Sequence, residues 1–111
     1  MEGLRNLPLS PTAMAALIDY SPASVVSMAL SQQADVSMTL FAFDEGDGIS
    51  TEYYLGDTLY LVIEGQMPLQ QDGRSSLLAA GDCVCVPAKT KHAIGGAGRF
   101  KLLQITLHAQ S

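Results

Sequence analysis

The sequence of 111 residues has little positive charge: six lysines and arginines stand against eleven aspartates and glutamates, for a net charge of −5. Nucleic acids and anionic membranes bind basic surfaces, so this balance argues against both as partners. No apolar run approaches the roughly 20 residues of a membrane-spanning helix. The first residues also lack the basic and apolar segments of a signal peptide. These absences predict a cytoplasmic protein.

Cysteine is equally scarce, and Cys83 and Cys85 are the only two. Two residues apart on a strand, they share one face, but this spacing suits a disulfide poorly. They have no cysteine partners with which to build a paired metal motif. We expect both to be reduced, partly buried, small apolar side chains, which fits a reducing compartment.

The few basic residues are unevenly placed, because Lys89, Lys91, Arg99 and Lys101 follow the last acidic residue, Asp82. Two interpretations stay open. The late strands could lie beside the earlier acidic ones, so that the two signs mix over the surface. Alternatively, a small basic rim near the end of the chain could attract an anionic ligand.

The composition that remains is typical of one folded domain, with 48% hydrophobic and 15% charged residues. Residues 1–22 are predicted to form an N-terminal arm and residues 23–111 the main domain. In the arm, Ser10 and Pro11 have the character of an N-cap and a first helical position. They predict a short helix through Ile18, ending before Pro22.

After the arm, the pattern is that of short strands separated by turns. The apolar or alternating segments lie at residues 25–30, 36–43, 58–64, 69–71, 75–78, 83–86, 93–94 and 100–107. Gly65 is expected to end the strand before it, and Asp72-Gly73 is a tight hairpin signal. About eight strands and no long helix predict an all-β sandwich, jelly roll or small barrel.

Two glycine-bounded blocks narrow this choice. The later block has Gly81, then Pro87 and His92, and the earlier one runs from Gly48 to Glu64-Gly65. Together they resemble the two half-motifs of the small, single-domain, RmlC-like cupins, over roughly residues 36–107. The resemblance implies a double-stranded β-helix, which is a jelly-roll barrel.

The metal motif of that family looks degenerate here. Cupins hold a divalent metal through two histidines, a glutamate and a third histidine inside the barrel. The resemblance puts Glu52 and Tyr54 at the first two positions, Thr58 at the glutamate position and His92 at the last. Only Glu52 and His92 are common metal ligands, and two are too few for tight binding. We therefore expect no tightly held metal or other cofactor.

The first functional hypothesis is a binding module for a small organic ligand, anionic or sugar-like, inside the barrel. Its expected contacts are Glu52, Tyr54, Thr58, Tyr60 and His92. The alternative is an enzyme. It would be a metal-dependent dioxygenase or isomerase with a degenerate site, or a metal-free isomerase that uses His92 and Glu52 as acid and base.

Two further expectations concern packing. A structural protein would result if Leu61 and Ile63 pointed inward and filled the barrel. The resemblance also implies a homodimer, and the segment 25–30 supports this because a strand that is apolar on both faces needs a cover on each. His108, close to the chain end, is expected to lie outside the site.

Overall fold

The computed structural model describes residues 3–108, so the outermost ends of the predicted arm and barrel ranges lie outside the described residues. The elements in chain order are a 3-10 helix at Met14–Leu17 and strands β1 Val25–Gln32, β2 Val36–Phe43, β3 Gly48–Glu52, β4 Thr58–Gln71, β5 Arg74–Ala79, β6 Cys83–Val86, β7 His92–Gly95 and β8 Phe100–Leu107. Among residues 3–108 no helix is long and apolar enough to cross a membrane.

The strands form one strongly curled antiparallel sheet in the order β1-β2-β8-β4-β7-β3, with β5 and β6 also paired to β4. The all-β jelly-roll prediction is therefore confirmed. The first half of β4 pairs with β8 and β6, whereas its second half pairs with β5 and β7. This long central strand thus belongs to both walls of the barrel.

The prediction that Gly65 ends a strand is wrong, since β4 runs through it. A bulge lies between Val62 and Glu64 in the pairing with β8, and Gly65 has φ +76°. A Cβ at Gly65 would overlap the carbonyl oxygen of Arg99. Glycine therefore bends the strand from one wall to the other instead of breaking it.

Of the remaining predictions, the hairpin is confirmed, whereas one strand and the length of the helix differ. Asp72-Gly73 joins β4 to β5 as a two-residue hairpin, with Gln71 opposite Arg74 and left-handed backbone at both turn residues, as that dipeptide predicts. The strand β3 was missed. The predicted helix shrinks to one 3-10 turn, capped by Ala13 without a side-chain bond.

Two apolar clusters hold the sheet together, one on each face. The inner cluster fills part of the barrel and includes Phe43 stacked on Phe100 with ring centroids 4.6 Å apart. The outer cluster lies between the sheet and the arm. Its members from the arm are Leu7, Met14, Leu17, Ile18 and Tyr20. The arm therefore serves as a cover for the outer face.

Tyr20 and Lys101 hold this arm in place. The Tyr20 hydroxyl donates to Glu64 Oε2 at 2.6 Å, and the ring lies beside the Arg99 and Lys101 cations at 5.0 and 4.9 Å. Lys101, only 6% exposed, donates to the carbonyl of Ala15 at 2.6 Å. Burial, and next the hydrogen bond to Glu64, raise the pKa of Tyr20, so its proton stays in this contact at neutral pH.

Two expectations about side-chain placement need correction. Leu61 and Ile63 pack in the outer cluster, so they do not fill the barrel. Strand alternation turns them outward because Tyr60 and Val62 face inward. Cys83 and Cys85 are free thiols, but both are exposed and not partly buried, because β6 is short and pairs only with β4.

Candidate functional site

The inner face of β8 changes from apolar to polar along its length. Phe100 and Leu102 are fully buried in the inner cluster, whereas Gln104 and Thr106 follow on the same face. The neighbouring strands change at the same level. Their inward residues opposite Gln104 and Thr106 are Thr39 and Ser37 on β2 and Tyr60 and Thr58 on β4. The barrel therefore has an apolar half and a polar half.

His92 lies in the wall of the polar half as the first residue of β7 and is 3% exposed. Its Nδ1 lies 3.0 Å from the carbonyl oxygen of Thr90, which can only accept, so Nδ1 carries a hydrogen. In the tautomer with its hydrogen on Nδ1 alone, Nε2 is an acceptor, and it lies 2.8 Å from the Tyr60 hydroxyl. Tyr60 donates this bond, and both nitrogens of His92 are used within the chain.

Glu52 and Tyr54 form the adjoining side of the site. Glu52 pairs with His92 across β3 and β7, after an irregularity that follows Ile49. The half-buried Tyr54 donates its hydroxyl hydrogen to Glu52 Oε1. The Tyr54 and His92 rings are 5.9 Å apart. A carboxylate, two phenols and an imidazole thus come together at one level of the barrel.

The pKa values of both phenols are raised. Burial is the largest cause for Tyr54, followed by its hydrogen bond to Glu52, while a hydrogen bond from Gln104 acts in the opposite direction. Burial is also the largest cause for Tyr60, followed by the charge effects of Tyr54 and Glu52. A hydrogen bond between the two phenols also contributes to both pKa shifts. Both hydroxyls therefore keep their hydrogens at neutral pH.

A second set of polar groups continues from β8. Gln104 Nε2 donates to Thr106 Oγ1 at 3.1 Å, and Thr106 Oγ1 lies 3.2 Å from Thr58 Oγ1. Thr106 Oγ1 accepts from the amide, and either threonine hydroxyl can be the donor in the bond between them. Gln104 is only 9% exposed, and its Oε1 has no hydrogen-bond partner among the described residues. Such an orphaned acceptor is uncommon in a folded protein.

An open cleft of about 350 Å3 borders this polar half. Tyr54 and Thr106 line it together with Ser37, Leu55, Gly56 and His108. His108, which was expected to lie outside the site, is exposed and lines this cleft. A separate cleft of about 320 Å3 contains Glu52 with Thr51, Tyr53 and Lys91.

The structure brings the five predicted residues together in the polar half: Glu52, Tyr54, Thr58, Tyr60 and His92. Four further inward-facing polar residues were not predicted from the sequence: Ser37, Thr39, Gln104 and Thr106. Polar residues in strands usually face solvent, so the sequence offered no reason to place these four inside the barrel. The signal was the register, because β2 and β8 each change from inward aromatic or aliphatic residues to inward polar ones.

The side chains at the metal-ligand positions do not fit a tight divalent-metal site. Thr58 bonds to Thr106, Tyr54 keeps its hydrogen, and the Nε2 lone pair of His92 accepts from Tyr60. Glu52 alone remains a ready ligand. Within the described part of the chain, no three His, Cys, Asp or Glu side chains come together as a metal-binding group.

Arg99 and Lys101, the last two basic residues, lie beside earlier acidic residues, as the interpretation of mixed surface charge predicts. Arg99 pairs with Asp44 at 2.7 Å, and Lys101 lies 3.6 Å from Glu64. Backbone and Arg99 hydrogen bonds lower the pKa of Asp44, the bond to Ala23 most. Lys89 and Lys91 are exposed, and Lys91 contributes to the Glu52 cleft.

No protein-family model and no curated protein matches the sequence, but solved structures do. A cupin superfamily protein from Desulfitobacterium hafniense is 45% identical, with a TM-score of 0.92 over 96% of this chain and 98% of that one. A Streptococcus pyogenes protein of unknown function is 20% identical, with a TM-score of 0.93 over 100% and 98% of the two chains.

A further structural match, an RmlC-like cupin from Shewanella frigidimarina, has 21% identity and a TM-score of 0.72 over 78% of each chain. At that identity the match shows the fold alone, whereas the Desulfitobacterium protein also shows the family. Both the fold and the position of the polar half agree with the two glycine-bounded blocks. The chain therefore belongs to the cupin superfamily.

Proposed function

We propose that this cupin binds a small polar organic molecule in the polar half of its barrel, without a tightly held metal. One observation carries the proposal: the buried Oε1 of Gln104 has no partner among residues 3–108. A buried acceptor without a partner costs about 1–3 kcal/mol. A ligand that donates to it would recover that cost. The cleft that Tyr54 and Thr106 line borders this half of the barrel.

The binding proposal is tested by thermal denaturation of chelator-treated protein against a broad panel of small polyols, sugars, amides, amines and carboxylates. At least one class is expected to raise Tm through preferential binding to the folded state. Thr106→Val should weaken the shift because it removes a hydroxyl that lines the cleft. Ser76→Ala, an exposed change outside the clefts, is the matched control. No shift with any class would refute the proposal.

The second candidate is a metal-free acid–base enzyme that uses His92 and Glu52. The observation in its favour is their cross-strand pairing, with Tyr54 and Tyr60 bonded to them. The burial of His92 and the use of both its nitrogens favour a positioning role instead. If a ligand from the panel is converted, His92→Gln should abolish turnover while retaining binding. An unchanged turnover would rule out this role.

We further propose that two copies pair through the outer sheet face that the arm leaves uncovered. Leu107 is 51% exposed there, beside an apolar cleft of about 330 Å3 that also contains Leu59, Cys85 and Ile105. Light scattering should give twice the chain mass, and Leu107→Glu should give the monomer. Leu9→Glu, on a fully exposed arm residue, should leave the dimer intact. A monomeric parent protein would contradict this.

A further inference from the structure

A larger polar cleft lies on the wall that the second half of β4 forms with β5, β7 and β3. It measures about 450 Å3, and neither Gln104 nor Thr106 lines it. Apart from Gly73, every residue that lines it has a polar or charged side chain. The volume falls within the range of small-molecule sites. Such a lining suits a charged or strongly polar ligand better than an apolar one.

Strand pairing brings two cations, Arg74 and Lys91, to this cleft. Gln71 of β4 lies opposite Arg74 of β5 on one side and opposite His92 of β7 on the other. Neighbouring strands are about 4.8 Å apart, so roughly 10 Å separates the backbone of Arg74 from that of His92, the neighbour of Lys91. Two long basic side chains at this separation can both reach one group held between them.

The chain leaves both of these cations without a partner. Arg99 and Lys101 lie beside carboxylates, as described above. Over residues 3–108, by contrast, no ion pair or side-chain hydrogen bond engages Arg74 or Lys91. Both are exposed and therefore available to a ligand.

Two carboxylates lie close enough to matter for the charge of the cleft. Asp72 lines the same cleft, and Glu52 shares the neighbouring cleft with Lys91. Glu52 instead receives the hydroxyl hydrogen of Tyr54. The cleft itself therefore has two positive charges and one negative charge. On a chain with a net charge of −5 this is a local positive excess, which attracts anions.

The side chains suit a phosphate group better than a carboxylate. A guanidinium such as that of Arg74 binds phosphate through two parallel hydrogen bonds, and an ammonium adds a compact charge. An esterified phosphate carries about −1.5 to −2 charges at pH 7 and three acceptor oxygens, so it can use both cations. Thr51, Gln70 and Ser75 also line the cleft, and their side chains make no hydrogen bond within the described chain. They are further donors for the ligand.

We propose that Arg74 and Lys91 form a binding site for the phosphate group of a small molecule. The site is separate from the polar half of the barrel and goes beyond the binding function proposed above. Lys91 thereby follows the second interpretation of the late basic residues, which is attraction of an anionic ligand. Arg74 lies 17 positions earlier in the chain, and only the pairing of β5 and β7 with β4 brings it to the same cleft.

NMR titration of 15N-labelled protein with glycerol 3-phosphate, at constant ionic strength, tests the site. The backbone amides of Arg74, Lys91 and the Asp72-Gly73 turn should shift and saturate. Inorganic phosphate should shift the same amides, and glycerol should not. Equal affinity for acetate would overturn the assignment to phosphate. The absence of any shift, or shifts confined to the inward residues of β8, would overturn the site.

Variants separate a built site from a general effect of charge. Arg74→Gln and Lys91→Gln should each weaken phosphate binding by roughly threefold to tenfold, because each removes a charge-assisted contact. Lys89→Gln makes the same charge change at an exposed lysine that lines neither cleft of Lys91, and should have little effect. Asp72→Asn should strengthen binding. Equal weakening by all three glutamine variants would overturn the proposal.

Discussion

The hydroxyl of Tyr60 lies 2.8 Å from Nε2 of His92, at the ring nitrogen through which this histidine would otherwise bind a metal or a ligand. Both side chains are buried, at 1% and 3% exposure. Nδ1 is bonded to the backbone of Thr90. The hydroxyl of Tyr60 thus occupies the Nε2 lone pair of His92, the histidine of the cupin motif. The first two predictions depend on this contact.

Tyr60→Phe should lower the free energy of unfolding by about 1–3 kcal/mol, because it leaves the buried Nε2 of His92 without its donor. Urea denaturation monitored by circular dichroism measures the change. Tyr53→Phe, at a ring that is 50% exposed, is the matched control and should alter stability little. Equal stability of the two variants would mean that the Tyr60–His92 bond contributes nothing net.

Metal affinity should require more than restored histidines. The parent protein should bind Zn2+ or Ni2+ weakly, and Glu52→His with Tyr54→His should improve binding only in part, because Tyr60 still occupies His92 Nε2. Adding Tyr60→Phe should tighten binding by roughly tenfold or more. Calorimetry on chelator-treated proteins provides the comparison. Tight, stoichiometric binding by the parent would contradict the assignment of Nε2 to Tyr60.

Stability should fall in alkaline solution. The pKa values of Tyr20, Tyr54 and Tyr60 are raised above the ordinary 10.0. Above pH 10 the unfolded chain loses phenol hydrogens that the folded chain retains, so the free energy of unfolding decreases as pH rises. Below pH 10 these groups do not make the free energy of unfolding depend on pH. Urea titrations across this range should show a shallower decline for Tyr60→Phe, and an identical slope would refute the contribution of Tyr60.

The arm should depend on its bond to the β4 bulge. Tyr20→Phe removes the donor to Glu64 while keeping the ring between Arg99 and Lys101, and should cost about 0.5–1.5 kcal/mol. Tyr20→Leu also removes the cation–π contacts and should cost more. Limited proteolysis should cut the arm faster in the same order. Equal cutting rates in all three proteins would show that Tyr20 does not hold the arm.

The sequence predicted most of the fold because its turns are strongly marked. Glycine, proline and the Asp72-Gly73 pair separate apolar segments that match β1, β2, β6 and β8 closely. The strand β3 was missed because Gly48–Glu52 contains only one apolar residue. The continuity of β4 was missed because a glycine at positive φ usually ends a strand, whereas here the pairing with β8 continues past it.

For the site, the motif spacing led to the five residues that the polar half brings together. The sequence could not indicate that Tyr60 bonds to His92, since that contact depends on the curvature that brings β4 and β7 together. Nor could it identify Gln104, because an isolated glutamine in a strand looks like a surface residue. Only the pairing of β8 with β2 and β4 shows that it faces inward.

The division of the barrel interior has an evolutionary consequence. Stacked and aliphatic side chains such as Phe43, Phe100 and Leu102 sustain the fold at one end. The residues that would meet a ligand sit at the other end of the same strands. Substitutions at Gln104 or Thr106 therefore leave the apolar end packed. A lineage of such barrels can exchange one recognition chemistry for another by point changes, without first acquiring a new core.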